Sequence, residues 1–384
     1  MHTLCRREVK GARGQILRWL RRGTCAIGIH VKPLTFLILM QLCGASASHA
    51  LLVNLDFTYD NANGGFFAAN SIAKNAVLAA AADLSAAINP SLASLQTHVY
   101  TGTTGTTQAT INWSLSFRHP VTGATVTLET FNFAADALTI YVGMRPLSGT
   151  LLGEGGPGGA GISVSGTGNA AQWDSALDKA ELSSNTAMLR GGGPTIGRFD
   201  DALQFGTAPG NYSVAHGAAV GSLSLDSDSD NNGSADSTAL LNSYWHFDHT
   251  TAVDPGKNDF YSTALHEMIH AIGIGSSLTW DSLRSGTNWL GANAAAANGG
   301  SGTGLLEQNG DHIASGKMSP RLLDGMLQEV AMDPTITTGT RKYLTELDAA
   351  FLRDIGYAAV PEPSASLLLG ISAGLLGLRQ RRGK

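Results

Sequence analysis

The sequence predicts an α+β domain, and three stretches carry that prediction. Ile111-Asn-Trp-Ser-Leu-Ser-Phe117 alternates apolar and polar residues, the two-residue period of a half-buried strand. Phe66–Ile88 is alanine-rich, contains neither glycine nor proline, and is closed by Asn89-Pro90, which is the pattern of a long helix. Asp259–Gly273 sets Leu265, Met268, Ile269 and Ile272 at helical spacing between a capping aspartate and a glycine stop.

The remaining elements follow in order. Leu51–Tyr59 alternates well enough for a first strand. Leu95–Tyr100 and Ala109–Arg118 are strands, and Thr122-Gly123 turns the latter into Ala124–Thr130. Leu138-Thr-Ile-Tyr-Val-Gly-Met144 is the strongest strand of the chain. The glycine-heavy run Gly149–Gly168 is a loop or an irregular strand pair, and Ala171–Leu182 is a short helix. Gly191–Tyr212 has no assignable pattern. Ser243–Phe247 is a strand running towards the helix at Asp259, an edge against which an extended peptide could pair, with His246 beside the site rather than in it. Ser285–Gly304, rich in Gly, Ala and Asn, is a surface insertion.

With 384 residues the chain holds one large domain or two small ones. A net charge of −5 and a charged fraction of 14% give no footprint for nucleic acid. Basic residues crowd Arg6–Arg22, the apolar core Pro33–Leu42 is too short to cross a bilayer, and Gly44–Ala50 offers cleavage after Ala47 or Ala50. Residues 1–50 are therefore expected to be a signal peptide and the protein to be exported. Cys5, Cys25 and Cys43 all fall in this segment, which leaves the mature chain without cysteine for disulfides.

The chemistry concentrates in one helix. His266 and His270 stand four residues apart, so one turn stacks both imidazoles on the same side, where they can share an ion. Glu267 can face a water on that ion without ligating it. This is the H-E-x-x-H arrangement of zinc hydrolases, with glutamate as general base. A catalytic zinc needs a third protein ligand. Ser276 cannot supply it and Asp281 comes too late. His312 is the one histidine after the helix, while Glu307 and Glu329 are the carboxylate alternatives. A second feature is Asp228-Ser-Asp-Asn-Asn-Gly-Ser-Ala-Asp236. Asp228, Asp230, Asn232 and Asp236 place oxygens as in the first part of a calcium loop, with Gly233 at the bend, although Ala239 stands where the final bidentate glutamate belongs.

Two resemblances add to these readings. Thr263–Gly273, the delayed His312, Gln328–Pro334 and Leu344–Tyr357 resemble the catalytic region of metzincin-type zinc peptidases, most of all the PEP-CTERM-tagged and leishmanolysin-like branches, and Leu344–Tyr357 also resembles the C-terminal helix of matrixins. That resemblance implies a metzincin-like fold over residues 51–357: a twisted mixed sheet, a long backing helix, the active-site helix, and a small C-terminal subdomain. It also implies a zinc-dependent endopeptidase acting on protein or peptide substrates. A methionine turn beneath the metal is implied as well, at Met332 or, as second choice, Met318. In Leu344–Tyr357, Thr345 and Asp348 form a capping box, with Leu347, Phe351 and Ile355 inward. The second resemblance lies in residues 358–384. Pro361-Glu-Pro363, the uncharged run Ser364–Leu378 and the basic end Arg379–Lys384 resemble a PEP-CTERM sorting signal. It implies an exosortase-type processing partner and transient membrane association at the cell surface.

Overall fold

Apolar alternation sets the strands, and glycine sets how closely they approach the helices. The computed structural model describes residues 51–89, 91–205 and 208–358. The signal-peptide and sorting-tail expectations lie outside the described residues. In chain order come β1 (Leu52–Asp56), α1 (Ser71–Ala87), β2 (Val99–Thr104), β3 (Thr107–Arg118), β4 (Thr125–Leu128) and β5 (Ala137–Arg145). Next are β6 (Gly153–Pro157), β7 (Gly159–Thr167), α2 (Trp173–Met188), β8 (Thr195–Phe205), β9 (Ala208–Gly217) and β10 (Val220–Asp226). The last elements are α3 (Phe260–Ala271), β11 (Met318–Pro320), β12 (Leu327–Glu329) and α4 (Glu346–Asp354).

The architecture is α+β. A mixed sheet runs β1-β5-β10-β6, with β1 and β10 parallel to β5 and β6 antiparallel on the edge. Val77 and Leu84 of α1, Ile140 and Leu223 of the sheet, and Leu265 and Ile269 of α3 share one buried core. A second, antiparallel sheet centres on β3, which pairs with β2, β4 and β7. Its Ile111, Trp113 and Leu115 face Trp173 and Leu177 of α2 and Val214 of the β8–β9 ribbon. Among the described residues, no helix is long and apolar enough to cross a membrane.

Several elements differ from expectation. The long helix breaks at Asn70, whose side-chain amide donates to the Phe66 carbonyl at 3.1 Å, so a short turn (Phe66–Ala69) precedes α1. Tyr59 belongs to a short helix, Thr58–Ala62, rather than to β1. The glycine run after Gly149 forms two true strands. α2 continues past Leu182 to Met188 because Ser184, buried, accepts from the Trp113 indole N–H at 2.8 Å. Gly191–Tyr212 supplies β8 and the first half of β9. Ser243–Phe247 is mostly not a strand: Thr238–Tyr244 is helical, and only Trp245–His246 pairs, parallel to Asn258–Asp259. Ser285–Gly304 is not a mere surface insertion. Trp289 is buried against Trp280 and Phe351, with ring centroids 4.4 and 4.8 Å away. Its indole N–H donates to Asp354 Oδ2 at 2.8 Å.

His216, on β9, is buried edge-on to Trp113 with ring centroids 5.9 Å apart, and burial lowers its pKa to about 4. Since that value lies below the unfolded 6.5, the unfolded chain binds more protons between the two. Stability should therefore fall as pH drops from 6.5 to 4, by about 3 kcal/mol from this residue. Urea melts at pH 7 and pH 4.5 should show a smaller loss in His216→Leu than in the wild type.

Candidate metal centre

α3 is fixed at both ends before it presents any chemistry. Asp259 caps it, its Oδ2 accepting from the Ser262 backbone N–H at 3.0 Å and the Ser262 hydroxyl at 2.6 Å. Arg341 Nη2 meets Asp259 Oδ1 at 2.7 Å, with both side chains nearly withdrawn from water. At the other end Gly273 takes φ 120°, a conformation side chains other than glycine's rarely adopt. Tyr357 Oη donates to the Ile272 carbonyl at 2.9 Å.

Three imidazoles converge at this helix. His312 Nε2 lies 3.1 Å from His270 Nε2 and 3.2 Å from His266 Nε2. The Nδ1 atoms of His266 and His270 each face a carbonyl at 2.8 Å, those of Ala331 and Ile274. A carbonyl only accepts, so both Nδ1 atoms carry protons and both Nε2 atoms turn bare lone pairs inward. Among the described residues His312 Nδ1 is buried without a hydrogen-bond partner, and its Nε2 meets those two lone pairs, where one cation would satisfy all three nitrogens. Ligand nitrogens at 2.0–2.1 Å around a tetrahedral zinc stand roughly 3.3–3.4 Å apart, close to the spacing found. The site therefore fits a zinc ion. Burial pushes the His266 pKa well below 6.5, that of His270 to about 4, and that of His312 downward too. All three are neutral at pH 7, the form that ligates.

His312 arrives on a loop pinned from several directions. Ile313 N–H donates to the Met332 carbonyl at 3.1 Å, and the Trp280 indole donates to the Gly310 carbonyl at 2.8 Å. Gly275 makes room: a Cβ there would lie 2.2 Å from the Asp311 carbonyl oxygen. Ser276 is no ligand, its hydroxyl donating to the His270 carbonyl at 2.7 Å. Asp281 pairs with Arg284 at 3.0 Å. Glu307 and Glu329 stand outside the convergent group, and Glu329 pairs with Lys342 at 3.1 Å. His246 lies elsewhere, hydrogen-bonded to the Asp248 carbonyl at 2.9 Å and lining a separate cavity.

Glu267 is not one of the convergent ligands, and it faces the same cleft. Desolvation pushes its carboxyl up to about 8, with the Gly155 backbone N–H opposing the shift and Glu154 adding to it. A dication held by the neighbouring imidazoles would pull it back down. The cleft, about 540 Å³, is bordered by Leu151, Leu152, Tyr244, Pro334 and Ile336. Its wall is the edge strand β6, which only glycine could bring so near: a Cβ on Gly155 would sit 2.0 Å from the Glu267 carbonyl oxygen.

Beside His266 lies the turn Ala331–Met332, whose Ala331 carbonyl meets the ring. Met332 is fully buried, whereas Met318 is half exposed on β11. Asp348 holds this turn. Its Oδ2 accepts from Ala331 N–H at 2.9 Å and its Oδ1 from Met332 N–H at 3.1 Å, while Thr345 completes the capping box. Asp348 thus sets the carbonyl that orients His266. Asp348→Asn should weaken zinc binding by about 10–100-fold with the fold retained, read by competition against a chromophoric chelator.

In the acidic loop, Asp228, Asp230 and Asp236 bring carboxylate oxygens within 4.8 Å of one another. Asp228 accepts from the backbone of Asn232 and Gly233 at 2.9 and 2.7 Å. Asn232 Oδ1 accepts from Ser234 N–H at 2.9 Å, and Gly233 takes φ 85°.

Gly153, Gly155, Gly275 and the outer role of Asp348 are absent from the sequence reading. The one signal for Gly153 and Gly155 was the glycine-heavy run that follows the strong strand Leu138–Met144. Comparisons with protein-family models, curated proteins and solved structures gave no match.

Proposed function

We propose that the chain is an exported zinc-dependent endopeptidase of metzincin-like fold. The observation that carries the reading is the convergence of three imidazole Nε2 atoms, at 3.1 and 3.2 Å, beside a carboxyl that is not a ligand. His266, His270 and His312 would hold the metal. When bound, zinc supplies a Lewis acid that polarises a carbonyl and acidifies a water. Glu267 takes the proton of the attacking water and delivers it to the leaving amine. β6, whose outer edge is unpaired among the described residues, offers backbone groups to an extended peptide lying across the cleft. The buried Ala331–Met332 turn and its anchor on α4 support the metzincin assignment, as does an antiparallel edge strand beside the metal helix.

Export by residues 1–50, surface localisation and processing of residues 358–384 by an exosortase-type enzyme complete the proposal, resting on the sequence patterns of the two ends. Casein digestion tests the activity: chelation should abolish it, and about one equivalent of zinc should restore it. Digestion that survives chelation would count against the reading.

A non-catalytic calcium-binding surface protein is the second reading, favoured by the cluster at Asp228, Asp230 and Asp236. With no final carboxylate the loop is expected to bind calcium in the extracellular range, about 0.1–1 mM. Calorimetric titration should show heat that disappears in the pair Asp228→Ala/Asp230→Ala. No heat in the wild type would leave the loop as a solvated turn.

A further inference from the structure

The β11–β12 hairpin does something unusual with its apolar residues. Among the described residues, fourteen large apolar side chains are exposed, and five of them stand on this hairpin: Met318, Leu322, Leu323, Met326 and Leu327. Leu323 is 71% and Leu327 65% exposed. Scattered singly such residues need no explanation, but a cluster does. The tip is also held in shape. Arg321 N–H donates to the Met326 carbonyl at 2.9 Å, Gly325 N–H to the Arg321 carbonyl at 2.9 Å, and Arg321 Nε to Asp324 Oδ1 at 2.8 Å. Leu322 N–H donates to the Leu344 carbonyl at 2.9 Å, tying the tip to the segment before α4.

Where the chain leaves the described residues indicates what covers this patch. The Ala358 carbonyl accepts from Asn89 N–H at 2.8 Å, just past the end of α1. Ala86 and Ala87 of that same end, with Leu322 and Leu323, line one apolar groove of about 250 Å³. The exit point and the hairpin therefore lie on the same side of the domain. Beyond the exit, Ser364–Leu378 carries no charge and is followed by Arg379, Arg381, Arg382 and Lys384. Such a segment partitions into a bilayer with its basic end at the headgroups. Even wound as a helix it would reach roughly 22 Å, short of the roughly 30 Å hydrocarbon core. A second apolar contact would strengthen an anchor of this length.

Resting on the proposed membrane association of the C-terminal segment before it is processed, we infer that the hairpin tip is a lipid-docking surface, inserting Leu322, Leu323, Met326 and Leu327 into the bilayer beside that segment. The test uses residues 51–384, which contain no cysteine, with an environment-sensitive fluorophore on Leu323→Cys. On phosphatidylethanolamine–phosphatidylglycerol vesicles the emission should shift to the blue and be quenched by nitroxide-labelled lipid. A label on Leu182→Cys, an exposed leucine of α2, should do neither. Adding Leu322→Asp and Leu327→Asp to the Leu323→Cys chain should abolish the quenching while the chain still floats with the vesicles. Emission at Leu323→Cys that ignores the vesicles overturns the inference. So does emission already blue-shifted without vesicles and inaccessible to the lipid quencher, which would mark the C-terminal segment or a second copy of the chain as the occupant.

Discussion

Glu267→Ala is expected to lower peptide hydrolysis by at least about a hundredfold while zinc stays bound. The expectation follows from where the carboxyl stands. Glu267 lies on the same helical turn as His266 and His270, faces the cleft, and is not among the convergent nitrogens. Removing it takes away a proton acceptor and no ligand. Its stem packs on β6, where a Cβ on Gly153 would come 2.6 Å from Glu267 Cγ, so Glu267→Gln, which keeps that volume, is the cleaner variant. Both should hold close to one zinc by elemental analysis and melt near the wild-type temperature. Full activity in either would end the proposed mechanism.

His312→Ala should fail differently, losing the metal itself. Changing an outer hydrogen-bond partner of a ligand costs about 10–100-fold in affinity, and deleting a ligand should cost more than a hundredfold. The imidazoles of His266 and His270 would remain oriented by the Ala331 and Ile274 carbonyls, so the helix should persist with two ligands. Zinc at a hundred times its Kd stabilises a folded site by about 2.7 kcal/mol. Adding zinc to the metal-free wild type should therefore raise its melting temperature, and adding it to the variant should not. Equal zinc affinity in both proteins would remove His312 from the site.

The parts of this molecule that were legible in the sequence are those governed by local chemistry. The cap at Asp259, the stop at Gly273 and the capping box of Thr345 and Asp348 each follow from residue types a few positions apart. The placement of His266 and His270 on one side of the helix is likewise a property of one helical turn. His312 could be named only by elimination, because its approach depends on contacts with Met332, Trp280 and Gly275 far along the chain. The glycine-rich stretch reads as either a loop or an irregular strand pair for a physical reason. Glycine disfavours a strand, yet β6 needs it, since any side chain at Gly155 would collide with α3. Trp289 and Ala294 lie in a polar, alanine-rich stretch, and only their packing against α4 reveals them as core.

X-ray absorption at the zinc edge of the purified wild-type protein tests the central claim most directly. Three imidazole nitrogens and one oxygen are expected at about 2.0–2.1 Å. Two imidazoles completed by a carboxylate in the wild type, or no bound zinc at all, would contradict it.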